Sequence, residues 1–195
     1  MGIFFKKLKP VIIGVSGRSC SGKSTVIKDL EEKYKGKFLH INQDKFFKIK
    51  ADNWERPESL RIDKLIEAIK RLKAGKNAFI PTHRWTENFD REVKPHEIII
   101  VEGYLLFVNN ELNKLFDKKI WVDVSDVNVL YRRMKRFNDF SQLDYTMNVV
   151  IPESKKYEVI QKKHADVIID GNKTKEEIIN EIEGYIKNGK IPNRI

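Results

Sequence analysis

A length of 195 residues fits one domain, 1–195, large enough to bury a core without disulfides or structural metal. The apolar share of 41% and charged share of 34% are those of a globular chain, no apolar run approaches the ~20 residues of a membrane span, and a single cysteine excludes an internal disulfide. The net charge of +10 raises nucleic acid as a partner, but most of the lysines lie scattered among Glu and Asp on helix-like segments, the pattern of solvated faces, which argues against it.

The opening Met1-Gly2-Ile3-Phe4-Phe5-Lys6 is too short for a secretory signal and lacks the Ser or Thr of an N-myristoylation pattern, so a reducing, cytoplasmic setting is expected. Val11 to Ser16 is a continuous, largely β-branched run of the kind buried on both faces of a parallel sheet, and Thr25 to Glu32 has helical spacing. Between them Gly17-Arg18-Ser19-Cys20-Ser21-Gly22-Lys23-Ser24 fills the pattern G-x-x-x-x-G-K-[ST]. Strand, glycine loop and helix thus come in the order that cradles a nucleoside triphosphate. Gly17 and Gly22 let the backbone turn and bring N–H groups onto phosphate oxygens, at a helix N-terminus that favours anions. Lys23 is expected on the β- and γ-phosphates and the Ser24 hydroxyl on Mg²⁺, with Ser19, Cys20, Ser21 and Thr25 completing the ATP-binding loop, where Cys20 fills a free position and also reads as a merely tolerated small residue.

Phe38 to Ile41 reads as a second strand ending at Asn42-Gln43-Asp44, which puts Asp44 at the carboxyl end of a strand, where open α/β sheets bind ligands. On the residues alone Asp44 fits both a catalytic base and a turn or cap aspartate. A polar stretch follows, then apolar residues at Leu65, Ile66, Ile69 and Leu72 predict an amphipathic helix over 63–73 that Gly75 closes. Ala78 to Lys94 is less regular and reads as the end of a small excursion, about 48–94, over the acceptor side. Ile98 to Val101 is a central strand running into Glu102, whose place after four β-branched residues suits a carboxylate that holds Mg²⁺. Lys119 to Val124 predicts another strand, Val127 to Phe137 a helix, Val167 to Gly171 a last strand, and Lys175 to Lys187 a last helix. Strands alternating with helices call for a five-stranded parallel, doubly wound sheet flanked by helices. The four cations Arg132, Arg133, Lys135 and Arg136 fit either a mobile lid, about 131–150, closing on phosphates or a solvated helix face.

Together these segments resemble the uridine kinase and nicotinamide riboside kinase group of P-loop nucleoside kinases, over nearly the whole chain. Ile12 to Thr25 is similar to that group's first strand and P-loop, and Asn42-Gln43-Asp44-Lys45-Phe46-Phe47-Lys48 resembles the segment that carries its catalytic aspartate. Ile100 to Phe107 and Asp170 to Thr174 look closer to the nicotinamide riboside branch. The resemblance implies an α/β P-loop NTPase fold of the nucleoside/nucleotide kinase type with a helical lid, using ATP and Mg²⁺ on a small-molecule nucleoside acceptor. It implies Asp44 as the base, Lys23, Arg132 and Arg136 in catalysis, and Arg133, Gly171, Asn172 and Lys173 on ATP. For the acceptor it implies Asp44, Phe47, Trp54, Glu55, His83, Trp85 and Glu102, with Glu55 standing where the family places a diol-binding Asp. Trp54 also fits an ordinary packing role. The leading expectation is phosphorylation of nicotinamide riboside on its 5′-hydroxyl. Uridine or cytidine is the nearest alternative, and a nucleotide-binding regulator without turnover another. No nucleic acid or membrane partner is expected, and a homo-oligomer is left open.

Overall fold

The computed structural model describes residues 10–188; the opening Met1–Lys6 segment lies outside them. Five parallel strands form the main sheet: β1 (Val11–Gly17), β2 (Phe38–Asn42), β5 (Ile98–Gly103), β6 (Lys118–Asp123) and β7 (Val167–Asp170), in the order β2-β5-β1-β6-β7. β1 is therefore central, paired with β5 from Val11↔Ile98 to Ser16↔Gly103 and with β6 from Ile13↔Lys118 to Gly17↔Val122. Successive strand residues face opposite sides, so Ile12 and Ile13 feed two different cores. Ile12 packs with Leu39, Ile41 and the apolar face of helix α2 (Ile62–Lys73), while Ile13 and Val15 pack with Val26, Ile27 and Leu30 of helix α1 (Lys23–Lys33). Burial on both faces is why β1 and β5 read as unbroken apolar runs.

Gly14 sits mid-strand because a Cβ there would lie 2.8 Å from Phe107 and 3.1 Å from Phe116, whose rings pack edge to face against each other. The excursion resolves into an antiparallel pair, β3 (Ala78–Ile80) and β4 (Arg91–Val93), which buries Ala78, Ile80 and Val93 in the α2-side core. Beyond the short α3 (Asn110–Asn113) and β6 comes α4 (Asp126–Phe137), capped by Ser125 Oγ accepting from the Asn128 N–H. It ends at Asn138 in the left-handed region. Then α5 (Ser141–Tyr145), a π-helical turn over Thr146–Val150, and α6 (Ile151–His164) run almost continuously. The last helix, α7 (Lys175–Asn188), packs on α1.

No reading of the sequence anticipates α6, and the reason is its inverted pattern: its buried residues are the polar Glu153 and Gln161, while Val159 and Ile160 are exposed. Among the described residues no helix is long and apolar enough to cross a membrane.

Candidate active site

The carboxyl ends of β1, β2 and β5 converge at the N-terminus of α1. Gly22 caps that helix in the left-handed region at φ +96°, a Cβ there would meet nothing within 4 Å, and no side chain caps the first turn, which also lacks an acidic residue. The first-turn N–H groups have no intrahelical partner, so an anion is their natural acceptor. Lys23 is buried and its Nζ donates to the Arg18 carbonyl 3.1 Å away, curling over the loop. Ser21 Oγ is buried without a partner. The loop thus fits the phosphates of a nucleotide by its own donors.

Gly17 also serves a packing contact. A Cβ there would lie 2.5 Å from the Val122 carbonyl, so its lack of a side chain serves the contact with β6. Arg18, an unspecified position of the motif, is buried; it pairs with Asp126 at 2.6 Å and donates to Ser154 Oγ, fastening the loop to α4 and α6.

Glu102 is the penultimate residue of β5 and is 1% exposed. Its Oε2 accepts from Ser24 Oγ at 2.7 Å and its Oε1 from Asn42 Nδ2 at 2.6 Å, with His40 Nε2 3.5 Å from Oε1. Burial pushes its pKa up, but His40, Lys23 and Ser24 together hold it below the usual carboxylate value. The paired Ser24 and Glu102 oxygens are hard ligands that suit Mg²⁺. Among the described residues no group of three or more His, Cys, Asp or Glu forms a metal cage, and an ion carried on phosphates needs only one or two protein oxygens.

Asp44 lies in the 3₁₀ turn Gln43–Phe46 after β2, its N–H bonded to Asn42 Oδ1 at 2.7 Å. Its carboxylate pairs with Arg84 Nη2. Burial pushes its pKa up; Arg84 and Lys23 pull the other way, Glu102 adds to the rise, and Arg136 opposes it. Both features first weighed for Asp44 coexist: it sits in a turn, and it faces the cleft.

Two cavities meet here. One of about 510 Å³ is walled by Phe47, Trp54, Glu55, Trp85, Tyr104 and Tyr145, and the other, about 670 Å³, by Thr25, Lys28, Arg132, Lys135, Lys173 and Lys175. Both are lined by Cys20, Lys23, Ser24, Asn42, Asp44, Arg84 and Arg136. Phe47 stacks near Tyr104 with centroids 6.1 Å apart, and Trp54 stands edge-on to Phe47 at 5.5 Å and to Trp85 at 6.1 Å. Tyr104 Oη donates to the Trp54 carbonyl. Trp54 therefore packs and lines the cleft at once. Glu55 also faces the first cavity; burial raises its pKa, Arg133 opposes and Asp44 reinforces the rise.

The lid cations approach from α4. Arg132 Nη1 donates to the Cys20 carbonyl and Arg133 Nη1 to Ser19 Oγ, both at 3.2 Å, while Arg136 borders both cavities. Other expected positions lie elsewhere. His83 is exposed and lines neither cavity, because its neighbour Arg84 enters the cleft instead. Asn172 Oδ1 accepts from the Ser125 N–H and Asn128 Nδ2, so it steadies the start of α4 rather than lining the larger, basic cavity; Lys173 does line it. A Cβ on Gly171 would lie 2.5 Å from the Asp123 carbonyl and 2.9 Å from that of Ser21, so this glycine lets the β7 loop press on the phosphate loop. Sequence reasoning missed Arg84, Asn42 and Tyr145 at the cleft, and Gln161 behind it; only the Asn42 position, directly before Gln43-Asp44, carried any signal.

A strand, an uncapped glycine loop and a helix, with facing carboxylates and a basic lid, define a P-loop kinase. Residues 39–177 match the model of the phosphoribulokinase/uridine kinase family, and the chain belongs to it. It is 31% identical over 182 residues to a uridine kinase of Clostridium novyi (strain NT), covering 83% of this chain and 88% of that one. In fold it is similar to a protein from Silicibacter sp. TM1040 described as a fructose transport system kinase, with a TM-score of 0.68 and 19% identity over 86% of this chain and 92% of that one. A shikimate kinase from Acinetobacter baumannii, solved with shikimate, gives a TM-score of 0.61 at 13% identity, over 95% and 97% of the two chains. Family membership implies ATP as phosphoryl donor.

Proposed function

We propose that the protein is an ATP-dependent ribonucleoside 5′-phosphotransferase, with the acceptor in the aromatic cavity and ATP in the basic one. The observation that carries this reading is that the two cavities share Lys23, Ser24 and Asp44 at their junction. Asp44 takes the proton of the 5′-hydroxyl; that oxygen bonds to the γ-phosphorus as the bond to the β,γ-bridging oxygen breaks, and ADP leaves with the electron pair. Burial that draws the Asp44 pKa upward brings a base nearer working pH. Lys23 and the first-turn N–H groups bind the phosphates, and Arg132, Arg133 and Arg136 offset the charge on the transferring group. Ser24 and Glu102 would hold Mg²⁺, which would supply further neutralisation of the triphosphate. Glu55 accepts hydrogen bonds from the ribose diol.

Nicotinamide riboside is the first reading of the acceptor. Trp54 and Trp85 with Glu55 give one wall of the cleft π faces and negative charge, which attract a flat pyridinium. The uridine kinase relatives favour the second, uridine or cytidine. ADP release with Mg²⁺-ATP over nicotinamide riboside, uridine, cytidine, adenosine and pantothenate separates them. Turnover on nicotinamide riboside supports the first reading, turnover confined to pyrimidine nucleosides the second, and turnover on pantothenate alone overturns the nucleoside assignment. ATP binding with no turnover on any acceptor would favour a regulatory role.

A further inference from the structure

The resting partner of Asp44 is a residue outside the phosphate loop and outside the lid. Arg84 stands forty positions along the chain, in the connection between β3 and β4, and its Nη2 pairs with Asp44 Oδ2. Its side chain lines both cavities, so it stands at the wall between acceptor and donor.

This placement is built. Arg61, at the start of α2, donates through Nη2 to the Thr86 carbonyl at 2.5 Å and to the Phe47 carbonyl at 2.9 Å, and its guanidinium lies 4.9 Å from the Phe89 ring centre. One side chain thus grips both the segment after Asp44 and the loop that carries Arg84, fixing their spacing. Trp85 holds φ +56°, a left-handed conformation that a bulky residue rarely adopts and that persists only where the surroundings over-determine it. Its ring abuts Trp54 and lies 5.9 Å from the Arg84 guanidinium carbon, and this bend accompanies the entry of Arg84 into the cleft.

The charges explain what such a contact does. Asp44 faces the carboxylates of Glu102 on β5 and Glu55 on the acceptor loop, and the cations Lys23 on α1 and Arg136 on α4. Among the described residues Arg84 alone makes an ion pair with it. The pairing engages Oδ2, while Oδ1 takes no hydrogen bond among the described residues and is left to receive a proton.

We propose that Arg84 is a positioning residue for phosphoryl transfer, clamping the Asp44 carboxylate through Oδ2 so that Oδ1 faces the acceptor hydroxyl where the two cavities meet. The inference rests on the reading of Asp44 as the base. Arg84 is 39% exposed in its side chain, and a pair that exposed contributes little to stability, so its variants should fold.

The test is steady-state kinetics of Arg84→Ala, Arg84→Lys and Asp44→Asn, each checked by thermal melting, with Mg²⁺-ATP and the ribonucleoside that the wild type phosphorylates. Arg84→Ala should lower kcat by about 10–100-fold, the loss expected of a misplaced catalytic group, with the ATP KM unchanged. Arg84→Lys should recover part of it. The acidic limb of the kcat profile should move to higher pH in Arg84→Ala, because the lost cation had favoured the ionised carboxylate. An unchanged kcat in Arg84→Ala beside an inactive Asp44→Asn overturns the clamp and leaves the base standing, as does a loss seen only in the ATP KM. Wild-type turnover by Asp44→Asn overturns both.

Discussion

Gln161→Leu tests whether α6 supports the cleft from behind. Gln161 is 1% exposed; its Oε1 accepts from Ser16 Oγ at 2.8 Å and from the Phe107 N–H at 3.1 Å, and its Nε2 donates to the Tyr104 carbonyl at 2.9 Å. One amide therefore joins the end of β1, next to the phosphate loop, to the segment after β5. Leucine keeps the bulk and removes all three partners, and since each buried group left unsatisfied costs at least about 1 kcal/mol, the variant should lose about 3 kcal/mol. For a chain of this size that is a drop of about 6–12 °C in Tm. Ser16→Ala removes one of the three contacts and should cost about 1 kcal/mol. Urea denaturation of the ligand-free protein, with thermal melting beside it, reads both values. A loss below about 1 kcal/mol in Gln161→Leu would refute the reasoning, because water or a rotated neighbour would then be satisfying the three groups.

Three other substitutions probe the site. Glu55 carries a pKa raised chiefly by burial, so its ionised form costs folding energy at neutral pH; Glu55→Gln should raise Tm at pH 7 while raising the acceptor KM. Because the folded pKa is the higher one, the gain should shrink as pH falls through the carboxylate range and vanish below about pH 3.5, where Glu55 is protonated in both states; a gain that persists there contradicts the assignment. Glu102→Gln keeps one acceptor for two donors and removes the charge, so the Mg²⁺ concentration for half-maximal turnover should rise about tenfold or more, read by titrating Mg²⁺ at fixed ATP; an unaltered requirement places the metal elsewhere. Gly171→Ala would set a Cβ against two backbone carbonyls, which cannot yield as a side-chain tip can, so the phosphate loop must shift and the ATP KM should rise with the acceptor KM unaffected.

The central strands were legible because they are buried on both faces, as the unbroken apolar runs Val11–Ser16 and Ile98–Val101 show, and the glycine loop was legible from its own pattern between strand and helix. α6 was not legible because a helix that buries Glu153 and Gln161 and exposes Val159 and Ile160 defeats any reading from hydrophobic periodicity. The acceptor wall was legible in part. Trp54, Glu55 and Trp85 reach the cleft, but choosing between His83 and Arg84 depends on the direction of one bend at Trp85, which no local pattern encodes. Contacts such as Asp44 with Arg84 or Arg18 with Asp126 join residues that only the finished sheet brings together.

The central claim is that Asp44 carries phosphoryl transfer at the meeting point of the two cavities. Its most direct test is ADP release by Asp44→Ala, set beside ATP binding measured calorimetrically on the same preparation. The account predicts that ATP still binds, since the phosphate loop and Lys23 are intact, while acceptor-dependent turnover falls by at least about 100-fold. Turnover near the wild-type rate would contradict it.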